Sequence, residues 1–407
     1  MNNIEGISLN CVGCRSCEQV CPVNAIVMTE NAEGFLYPFI DYSKCIECGK
    51  CLKHCPQNTQ YESSSQSAYG VKLKDRKSLL SSASGGAFYG IAKTVLEKNS
   101  GIIYGACYGE NLKVKHLAVR KLTDLYKTQS SKYVQSDTVN TYGEIRDLLN
   151  NGNCVLFSGT PCQVAGLKSF LSLEYENLFT VDIVCHGVPS PKLFSSFIKS
   201  IEEKEKSKVI QWDFRSKRKK GWGTYYYYYY CENGVAKTNP LSFTRFGTDF
   251  LKGQNYRECC YRCKYANLNN RPADITICDF WGLMSVNSDF YSNDGVSGVI
   301  VNSDKGRKLF EEAKFEFDLF ECSPLDIAKN QDNLKASSKR TDKRDCYYQN
   351  IDDDYFKQSF SVSFRERLLN ILPKKFIIFL KRVKGKLKKK SYKTYYYRFK
   401  YNGYNTK

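Results

Sequence analysis

Eight cysteines in the first sixty residues form the clearest chemical pattern of this chain. They make two copies of the spacing C-x-x-C-x-x-C-x-x-x-C-P: Cys11, Cys14, Cys17 and Cys21, then Cys45, Cys48, Cys51 and Cys55. Thiolates three residues apart on a tight loop can hold three corners of one iron–sulfur cubane, and the fourth corner needs a thiolate from elsewhere. Zinc sites usually pair two C-x-x-C hairpins, and an odd total of nineteen cysteines argues against a disulfide framework. The spacing therefore predicts two [4Fe–4S] clusters.

The fourth cysteine of each copy is expected to serve the cluster of the other copy. This exchange is the arrangement of bacterial ferredoxins, which residues 1–58 resemble. One cluster is then assigned to Cys11, Cys14, Cys17 and Cys55, and the other to Cys45, Cys48, Cys51 and Cys21. Residues 1–58 are accordingly predicted to form a small dicluster ferredoxin-type domain.

A second set of cysteines lies far along the chain. Its members are Cys162, Cys185, Cys260 and Cys263. They suffice for a third cluster, but their spacing alone fits a zinc site or unrelated buried thiols equally well. Cys260 is preferred to its neighbour Cys259 because it gives the two-residue spacing to Cys263. His54 and His186 are interpreted as structural, since thiolates are available near both.

These cysteines must be positioned by the elements that follow a polar, Ser-rich linker at 59–68. Short apolar runs with strand character alternate with helical patterns; the runs lie at 69–72, 101–108, 115–120, 153–157 and 178–184. Such alternation predicts a largely parallel sheet, whose ligands lie beyond the carboxyl ends of the strands, where Cys162 and Cys185 fall. A turn is predicted over 159–163, before the next helix. Residues 209–250 have an all-β texture that includes six consecutive tyrosines.

A loop of small residues at 81–87, SSASGGA, opens directly onto a helical pattern. Backbone N–H groups at such a helix start can bind an anionic group, and a tight turn with a helix cap is the plainer alternative. The dinucleotide fingerprint G-x-G-x-x-G is absent.

The net charge of +19 is concentrated at the C-terminal end. Residues 365–407 hold fifteen Lys or Arg and one Glu, giving +14 and leaving +5 for the rest. Apolar residues recur there at three- and four-residue spacing, which is typical of an amphipathic helix in peripheral contact with a membrane; a helix docked on the body, with a disordered basic end, fits equally. No signal peptide or membrane span is visible, so the chain is expected in the cytoplasm, and no nucleic-acid partner is expected.

Several segments, taken in order, resemble the family of coenzyme F-420 hydrogenase/dehydrogenase beta subunits. They are SASGGA at 82–87, SKYVQS at 131–136, GTPCQVAGL at 159–167, VCHGVPSP at 184–191, DFRSK at 213–217 and RECCYRCKY with RPADITICDFWG within 257–282. Each segment alone is a weak signal, whereas the ordered set is specific. The resemblance covers residues 69–320 or so.

That resemblance implies a domain that holds one FAD and one [4Fe–4S] cluster side by side. The flavin would be bound by Ser84, Gly85, Gly86, Ala87, Lys132, Tyr133 and Gln135. The cluster ligands would be Cys162, Cys185, Cys260 and Cys263. Cys278 stands where the family usually has glycine, so the packing there is expected to differ.

Charged residues beside these motifs leave two interpretations open. Lys132, Arg215 and Lys217 could neutralise flavin phosphates or be solvated surface charges. Asp279 could handle a proton or be structural.

The implied function is an iron–sulfur flavoprotein oxidoreductase. Electrons would pass from reduced ferredoxin or a similar donor through three [4Fe–4S] clusters to FAD, and on to an organic or hydride-accepting substrate. A membrane-bound tail would suit a lipid-linked substrate, such as a surface-polysaccharide precursor. A non-catalytic electron-transfer subunit that feeds a separate enzyme is the alternative.

The predicted fold class is α+β, with a ferredoxin-type domain before a larger α/β flavin and iron–sulfur domain. That larger domain includes a β-rich part. The expected divisions are a ferredoxin domain at 1–58, a linker at 59–68, the two parts of the larger domain at 69–148 and 149–325, and a basic helical extension at 326–407.

Overall fold

The N-terminal module is built from one hairpin and two single-turn helices. The computed structural model describes residues 3–62, 66–218, 221–223, 226–241 and 244–349. The hairpin pairs β1 (Ile26–Glu30) with antiparallel β2 (Leu36–Ile40), and the helices are α1 (Ser16–Gln19) and α2 (Lys50–Lys53). Each helix contains the third cysteine of its copy and is preceded by a left-handed residue, Arg15 with φ 64° or Gly49 with φ 69°. The two cysteine copies thus fold alike.

An eight-stranded mixed sheet forms the middle of the larger part. The remaining strands, in chain order, are β3 (Ser67–Leu73), β4 (Ile102–Tyr108), β5 (Val114–Val119), β6 (Val155–Gly159), β7 (Leu178–Ile183), β8 (Val209–Asp213), β9 (Tyr226–Cys231), β10 (Ala236–Pro240), β11 (Ile275–Asp279), β12 (Ser297–Val301) and β13 (Phe317–Cys322). The sheet has the order β13-β3-β12-β11-β7-β6-β4-β5. Its neighbours β11, β7, β6 and β4 are parallel, and its outer pairs are antiparallel.

Helices cover both faces of this sheet. The remaining helices, in chain order, are α3 (Arg76–Ser81), α4 (Ala87–Lys98), α5 (Thr141–Asn150), α6 (Pro161–Leu171), α7 (Pro191–Glu205), α8 (Arg245–Leu251), α9 (Asp304–Ala313), α10 (Pro324–Ala328) and α11 (Lys343–Gln349), of which α4 and α9 lie on one face and α5 and α6 on the other. Side chains alternate along β4: Ile103 belongs to the apolar cluster that α4 and α9 complete, whereas Ile102 and Tyr104 belong to the cluster of α5 and α6. Because both faces are covered, ligands reach the sheet at the carboxyl ends of its parallel strands.

Strands β8 to β10 form a separate antiparallel sheet in the order β10-β9-β8. It packs with α7 around Trp212, whose ring stacks on Tyr227 at 5.0 Å. The strand predicted at the tyrosine run is confirmed as β9. The β prediction for 209–250 is wrong at its end, where α8 forms because the Thr244 side chain caps it by accepting a hydrogen bond from the Gly247 N–H.

The predicted arrangement of a ferredoxin-type module before a larger α/β domain is confirmed, with two differences in detail. The sheet is mixed, because β3, β12 and β13 add to it in antiparallel pairs. The predicted turn at 159–163 is too long, since α6 already begins at Pro161. Proline suits the first helical position, and the Thr160 and Gln163 side chains form a capping box, so Cys162 lies in the first turn of the helix.

The described residues at each end of the predicted linker at 59–68 are held on the larger part. Strand β3 already begins at Ser67. The Lys264 ammonium donates to the carbonyls of Pro56, Gln57 and Thr59, at 2.8, 2.8 and 2.5 Å. The described residues all fall within one compact unit. The ferredoxin-type module is therefore packed on the α/β domain.

None of the described helices is long and apolar enough to cross a membrane. The basic amphipathic pattern predicted at 365–407 lies outside the described residues.

Candidate functional site

Four thiols of the N-terminal module surround one small cavity, here named the proximal cavity. They are Cys11, Cys14, Cys17 and Cys55, the set that the sequence assigned to one cluster. The cavity measures about 20 Å³ and is otherwise lined mainly by apolar side chains such as Ile4 and Met28. Burial raises the pKa of Cys55 to about 11 and raises the pKa values of the other three thiols as well. Buried thiols facing one cavity fit an iron–sulfur cluster, whose positive iron favours the thiolate form.

The other set of module cysteines lies toward solvent. Cys21, Cys45 and Cys51 pack against the apolar cluster of the module, whereas Cys48 is exposed. The Ala25 N–H donates to the Cys21 sulfur at 3.2 Å, and hydrogen bonds of this kind stabilise a reduced cluster. This set is therefore more exposed to solvent than the set of the proximal cavity.

A second buried group of thiols, here named the third thiol cavity, lies at the ends of two parallel strands. It measures about 40 Å³ and is lined by Cys162, Cys185, Cys259, Cys260 and Cys263. Cys162 comes from the first turn of α6, and Cys185 follows β7. Burial raises the pKa of Cys162 to about 12 and also raises that of Cys185. The structure thus brings together the four cysteines that the family resemblance selected, with Cys259 beside them.

Cys259 lies closer to the third thiol cavity than the sequence indicated. It lines the third thiol cavity as Cys260 does, and a hydrogen bond with Cys260 together with burial raises the pKa of Cys259. No three His, Cys, Asp or Glu side chains of the described segments converge closely enough to hold a single metal ion. The assignment of Cys260 rather than Cys259 stays a prediction.

A much larger space, here named the central cavity, adjoins the third thiol cavity. Its volume of about 260 Å³ far exceeds the roughly 10–15 Å³ that one water needs. Of the residues predicted to bind flavin, six line it: Ser84, Gly86, Ala87, Lys132, Tyr133 and Gln135. Gly85 is set back from the cavity, because a side chain there would meet the Ser297 N and Val71 O atoms at 2.3 Å. Its role is close packing of the loop against the sheet.

A buried lysine fixes the loop that carries Ser84. The Lys217 ammonium donates to the carbonyls of Leu79 at 2.7 Å, Ser84 at 2.6 Å and Asp294. Burial lowers the pKa of Lys217 to about 7. Lys217 is therefore neither a surface charge nor a group facing the central cavity; it holds the loop in place.

A second buried cation, Arg215, lines the central cavity and forms an ion pair with Asp279. Its guanidinium donates to both carboxylate oxygens of Asp279 at 2.9 Å and to the Tyr133 hydroxyl at 2.9 Å. Burial disfavours the Asp279 carboxylate, but Arg215 outweighs burial and holds the pKa of Asp279 below its usual value. The Trp222 indole N–H adds a hydrogen bond to Asp279 at 2.6 Å. These contacts favour the structural interpretation of Asp279.

Lys132 and Tyr133 form another wall of the central cavity. The Lys132 ammonium donates to the carbonyls of Lys127 at 3.0 Å and Gln129 at 2.7 Å, and burial lowers its pKa to about 8. The Tyr133 ring lies 4.3 Å from that of Phe250. Both side chains are thus held rigidly by their neighbours.

Both histidines interpreted as structural have protein partners, and His186, which hydrogen-bonds Asn333, also lines the third thiol cavity and the central cavity. The His54 ring nitrogen Nδ1 lies 2.7 Å from the Ser169 carbonyl oxygen.

Cys278 lines the central cavity, and it fits there because Gly298 lies opposite in β12; a side chain at Gly298 would lie 3.0 Å from the Cys278 sulfur. The departure from the family pattern is thus accommodated by a glycine across the sheet.

Two lining residues were missed by the sequence interpretation. His116 is buried between the Ser136 hydroxyl at 2.8 Å and the Ser158 carbonyl at 2.9 Å, and burial lowers its pKa to about 4. Arg257 also lines the central cavity. Arg257 begins the RECC segment and could have been singled out there, whereas no sequence signal marks His116.

One short segment connects the three spaces. Val12 lines the proximal cavity, the third thiol cavity and the central cavity. Helix α6 packs closely against the loop of the first cysteine copy, because it carries Gly166 where it meets Cys14. A side chain at Gly166 would lie 2.7 Å from the Cys14 Cβ atom. The three candidate cofactor positions are therefore neighbours.

Comparisons with known proteins agree with this arrangement. Residues 10–59 and 37–88 each match a domain described as 4Fe-4S dicluster domain. Residues 152–325 match the family described as the C terminus of the Coenzyme F420 hydrogenase/dehydrogenase beta subunit.

Relatives of similar and of greater length were found. The F subunit of F(420)H(2) dehydrogenase from Methanosarcina mazei is 20% identical over 329 residues, which are 76% of this chain and 84% of that protein. Coenzyme F420-dependent sulfite reductase of Methanocaldococcus jannaschii is 27% identical over 184 residues, which are 44% of this chain and 28% of that protein. A solved structure of the F420-reducing [NiFe] hydrogenase complex from Methanosarcina barkeri aligns with a TM-score of 0.42 at 16% identity, covering 68% of this chain and 91% of that one.

The chain thus combines a segment that matches 4Fe-4S dicluster domains with a later segment, residues 152–325, that matches the C terminus of the Coenzyme F420 hydrogenase/dehydrogenase beta subunit.

Proposed function

We propose that this chain is an iron–sulfur flavoprotein oxidoreductase that takes electrons from reduced ferredoxin or a similar donor. The observation that carries the proposal is a shared wall: Cys162, Cys185 and Cys260 line both the third thiol cavity and the central cavity. A [4Fe–4S] cluster held by these thiols and Cys263 would lie against the ligand of the central cavity. FAD is the ligand proposed for that cavity, because a flavin exchanges electrons singly with clusters and in pairs with organic molecules.

The lining residues divide the work of holding such a ligand. The start of α4, at Gly86 and Ala87, offers backbone N–H groups to an anionic end, and the helix dipole favours negative charge there. Lys217 does not take this part, because its ammonium group already donates to three backbone carbonyls, whereas Lys132 donates to two and lines the cavity. Tyr133 supplies a fixed aromatic wall.

The paired side chains keep the cavity wall electrically balanced. Arg215 lies beside the cavity with its charge offset by Asp279, so the pair orients its neighbours without adding net charge. Asp279 in turn is too strongly held by Arg215 to exchange a proton near neutral pH. The proposal therefore gives the Arg215–Asp279 pair a positioning role and assigns no proton-transfer residue.

The second candidate is a non-catalytic electron-transfer subunit that feeds a separate enzyme. The relationship to the F subunit of F(420)H(2) dehydrogenase favours it, since that protein is named as one subunit of an enzyme. Under this alternative the electrons would leave this chain for a partner protein.

Anaerobic purification followed by iron, flavin and absorbance analysis separates the two candidates. The oxidoreductase proposal expects about twelve irons per chain, from three [4Fe–4S] clusters, and one bound flavin that dithionite reduces. A screen of organic acceptors with the reduced protein would then identify the substrate. No bound flavin after purification and reconstitution, with about twelve irons or with only about eight, would reject the proposal and favour the adaptor.

A further inference from the structure

Arg257 is a buried arginine without a carboxylate partner in the part of the chain that the structure describes. It has the largest fully buried side chain there. The other deeply buried arginines have acidic partners: Arg215 has Asp279, Arg271 has Asp182 and Arg344 has Glu33. A buried charge is costly unless an opposite charge lies near it. The site around Arg257 should therefore hold a negative charge that is not an Asp or Glu.

The hydrogen bonds of Arg257 place its charge between the ferredoxin-type module and the α/β domain. Nε donates to the Cys11 carbonyl at 2.7 Å, and Nη2 donates to the Leu36 carbonyl at 2.8 Å. Nη1 donates to the Gln135 side-chain oxygen at 3.1 Å. The guanidinium also lies 4.1 Å from the Tyr37 ring centroid. These contacts leave the group no freedom to move away.

The chain makes room for this guanidinium at one position. Gly13 has φ +67°, and a side chain there would lie 2.9 Å from the Nη1 atom of Arg257 and 2.6 Å from the Gln135 amide nitrogen. The Gln135 amide nitrogen donates back to the Val12 carbonyl at 3.1 Å. The loop of the first cysteine copy is thus shaped around Arg257.

Thiols supply the missing negative charge. Cys11, whose carbonyl accepts from Arg257 at 2.7 Å, belongs to the proximal cavity, and Cys260, whose N–H donates to the Arg257 carbonyl at 2.9 Å, lines the third thiol cavity with Cys259. A [4Fe–4S] cluster with four thiolate ligands carries net negative charge, and each one-electron reduction adds one unit without making or breaking a bond. Net charge is one of the factors that set a cluster's reduction potential.

We propose that Arg257 is a positioning residue that raises the reduction potentials of the proximal and third clusters by holding a fixed positive charge between them. The effect on the third cluster rests on the proposed function, whereas the effect on the proximal cluster rests only on the dicluster domain. By favouring the reduced form on both sides of one contact, Arg257 would keep electrons at the boundary between the module and the α/β domain.

The test is a potentiometric titration of the full chain, followed by electron paramagnetic resonance with dithionite as reductant. Arg257→Gln removes the charge, whereas Arg257→Lys keeps it; Cys263→Ser, which should lack the third cluster, identifies the signals. We expect Arg257→Gln to lower the ratio of reduced to oxidised proximal and third clusters at least tenfold at a fixed potential, which is 59 mV for one electron. Arg257→Lys should shift them less, and the outer cluster of Cys21, Cys45, Cys48 and Cys51 should not move.

A second variant tests the idea with Arg257 still in place. Gln135→Glu sets a carboxylate beside the guanidinium and should lower the same potentials in the same direction, even if Arg257→Gln fails to fold. Unchanged potentials in an iron-replete Gln135→Glu protein would overturn the proposal. If the wild-type chain holds only the two clusters of the dicluster domain, the proposed function fails, while the effect of Arg257 on the proximal cluster is still measured.

Discussion

At the scale of single residues, the Arg215–Asp279 pair shows how the central cavity is stabilised. The pair is almost fully buried, with side chains 3% and 13% exposed. Its two hydrogen bonds to one carboxylate fix the guanidinium plane beside Tyr133. Removing one partner of such a buried pair destabilises a protein far more than the intact pair stabilises it, because a buried charge is left unbalanced.

We expect Asp279→Asn to lower the free energy of unfolding by about 3–5 kcal/mol, because the Arg215 charge would stay buried without the carboxylate that balances it. The pKa of Asp279 is lower in the folded chain than the roughly 3.9 of an unfolded one, so its contribution is complete above about pH 4 and declines as the pH falls through the folded-state pKa. Urea unfolding at several pH values measures both effects.

The matched control is Asp318→Asn, which breaks a surface pair with Lys72 at 3.3 Å. That change should cost less than about 1 kcal/mol. Equal losses in the two variants, or an unaltered acid dependence in Asp279→Asn, would contradict the assigned role of the buried pair.

The neighbouring cysteines Cys259 and Cys260 allow a direct test of the third cluster. Cys260→Ser should remove about four irons per chain, since a cubane lacking one thiolate ligand is not retained, whereas Cys259→Ser should keep them. Cys278→Ser is the control, because that thiol lines the central cavity without belonging to the third thiol cavity. Iron analysis and absorbance after anaerobic purification give the counts. If Cys259→Ser loses iron and Cys260→Ser does not, Cys259 rather than Cys260 is the cluster ligand.

Residues close together in sequence were the easiest to predict. The spacing of Cys11, Cys14 and Cys17 is a local property, and the matching thiols do surround one cavity together with Cys55. Gly85 was predicted to contact flavin because it lies within the loop motif, but the requirement it meets is set by the Ser297 and Val71 backbone atoms. Those neighbours come from distant strands and are not readable from the motif itself.

At the scale of elements, helix α6 joins the two parts of the chain. It supplies Cys162 from its first turn and contacts Cys14 through Gly166, about one turn later. We expect Gly166→Ala to lower the free energy of unfolding by about 1–3 kcal/mol and to weaken iron retention in the proximal cavity, because the added methyl group overpacks the Cys14 side chain. Thermal unfolding and iron analysis of the purified protein measure these effects.

Gly143 in α5 is the matched control, since a side chain there would meet no atom within 4 Å. Gly143→Ala should stabilise the protein by about 0.5–1 kcal/mol through its helix propensity, without loss of iron. Similar behaviour of the two alanine variants would argue against tight packing of α6 on Cys14.

The sheet was only partly predictable at this scale. The alternation of strands and helices from 101 to 184 indicated the parallel core because each unit is local in sequence. The antiparallel addition of β3 to β12 pairs Val71 with Ser297 and was not foreseen, since no local pattern specifies a partner so distant. The start of α6 was missed because the capping box of Thr160 and Gln163 was interpreted as part of a turn.

At the scale of the whole molecule, the basic charge concentrated at 365–407 fits either peripheral membrane contact or a helix docked on the body, and liposome flotation separates the two. Each Lys or Arg close to an anionic membrane contributes about 1 kcal/mol, so engagement of a handful of the fifteen would suffice. We expect the full chain to float with anionic liposomes and a chain truncated after residue 364 to stay behind. High salt should reduce the flotation of the full chain, because salt screens these charges. Equal recovery of both proteins would exclude a role of the tail in membrane binding.

The anchoring of the ferredoxin-type module by Lys264, Gly166 and Arg257 has a kinetic consequence. The module is packed on the larger domain through these contacts, so electron exchange between the proposed clusters would need no diffusive search. Glycerol or sucrose should therefore slow the encounter with an external donor while leaving the intramolecular exchange rate unchanged.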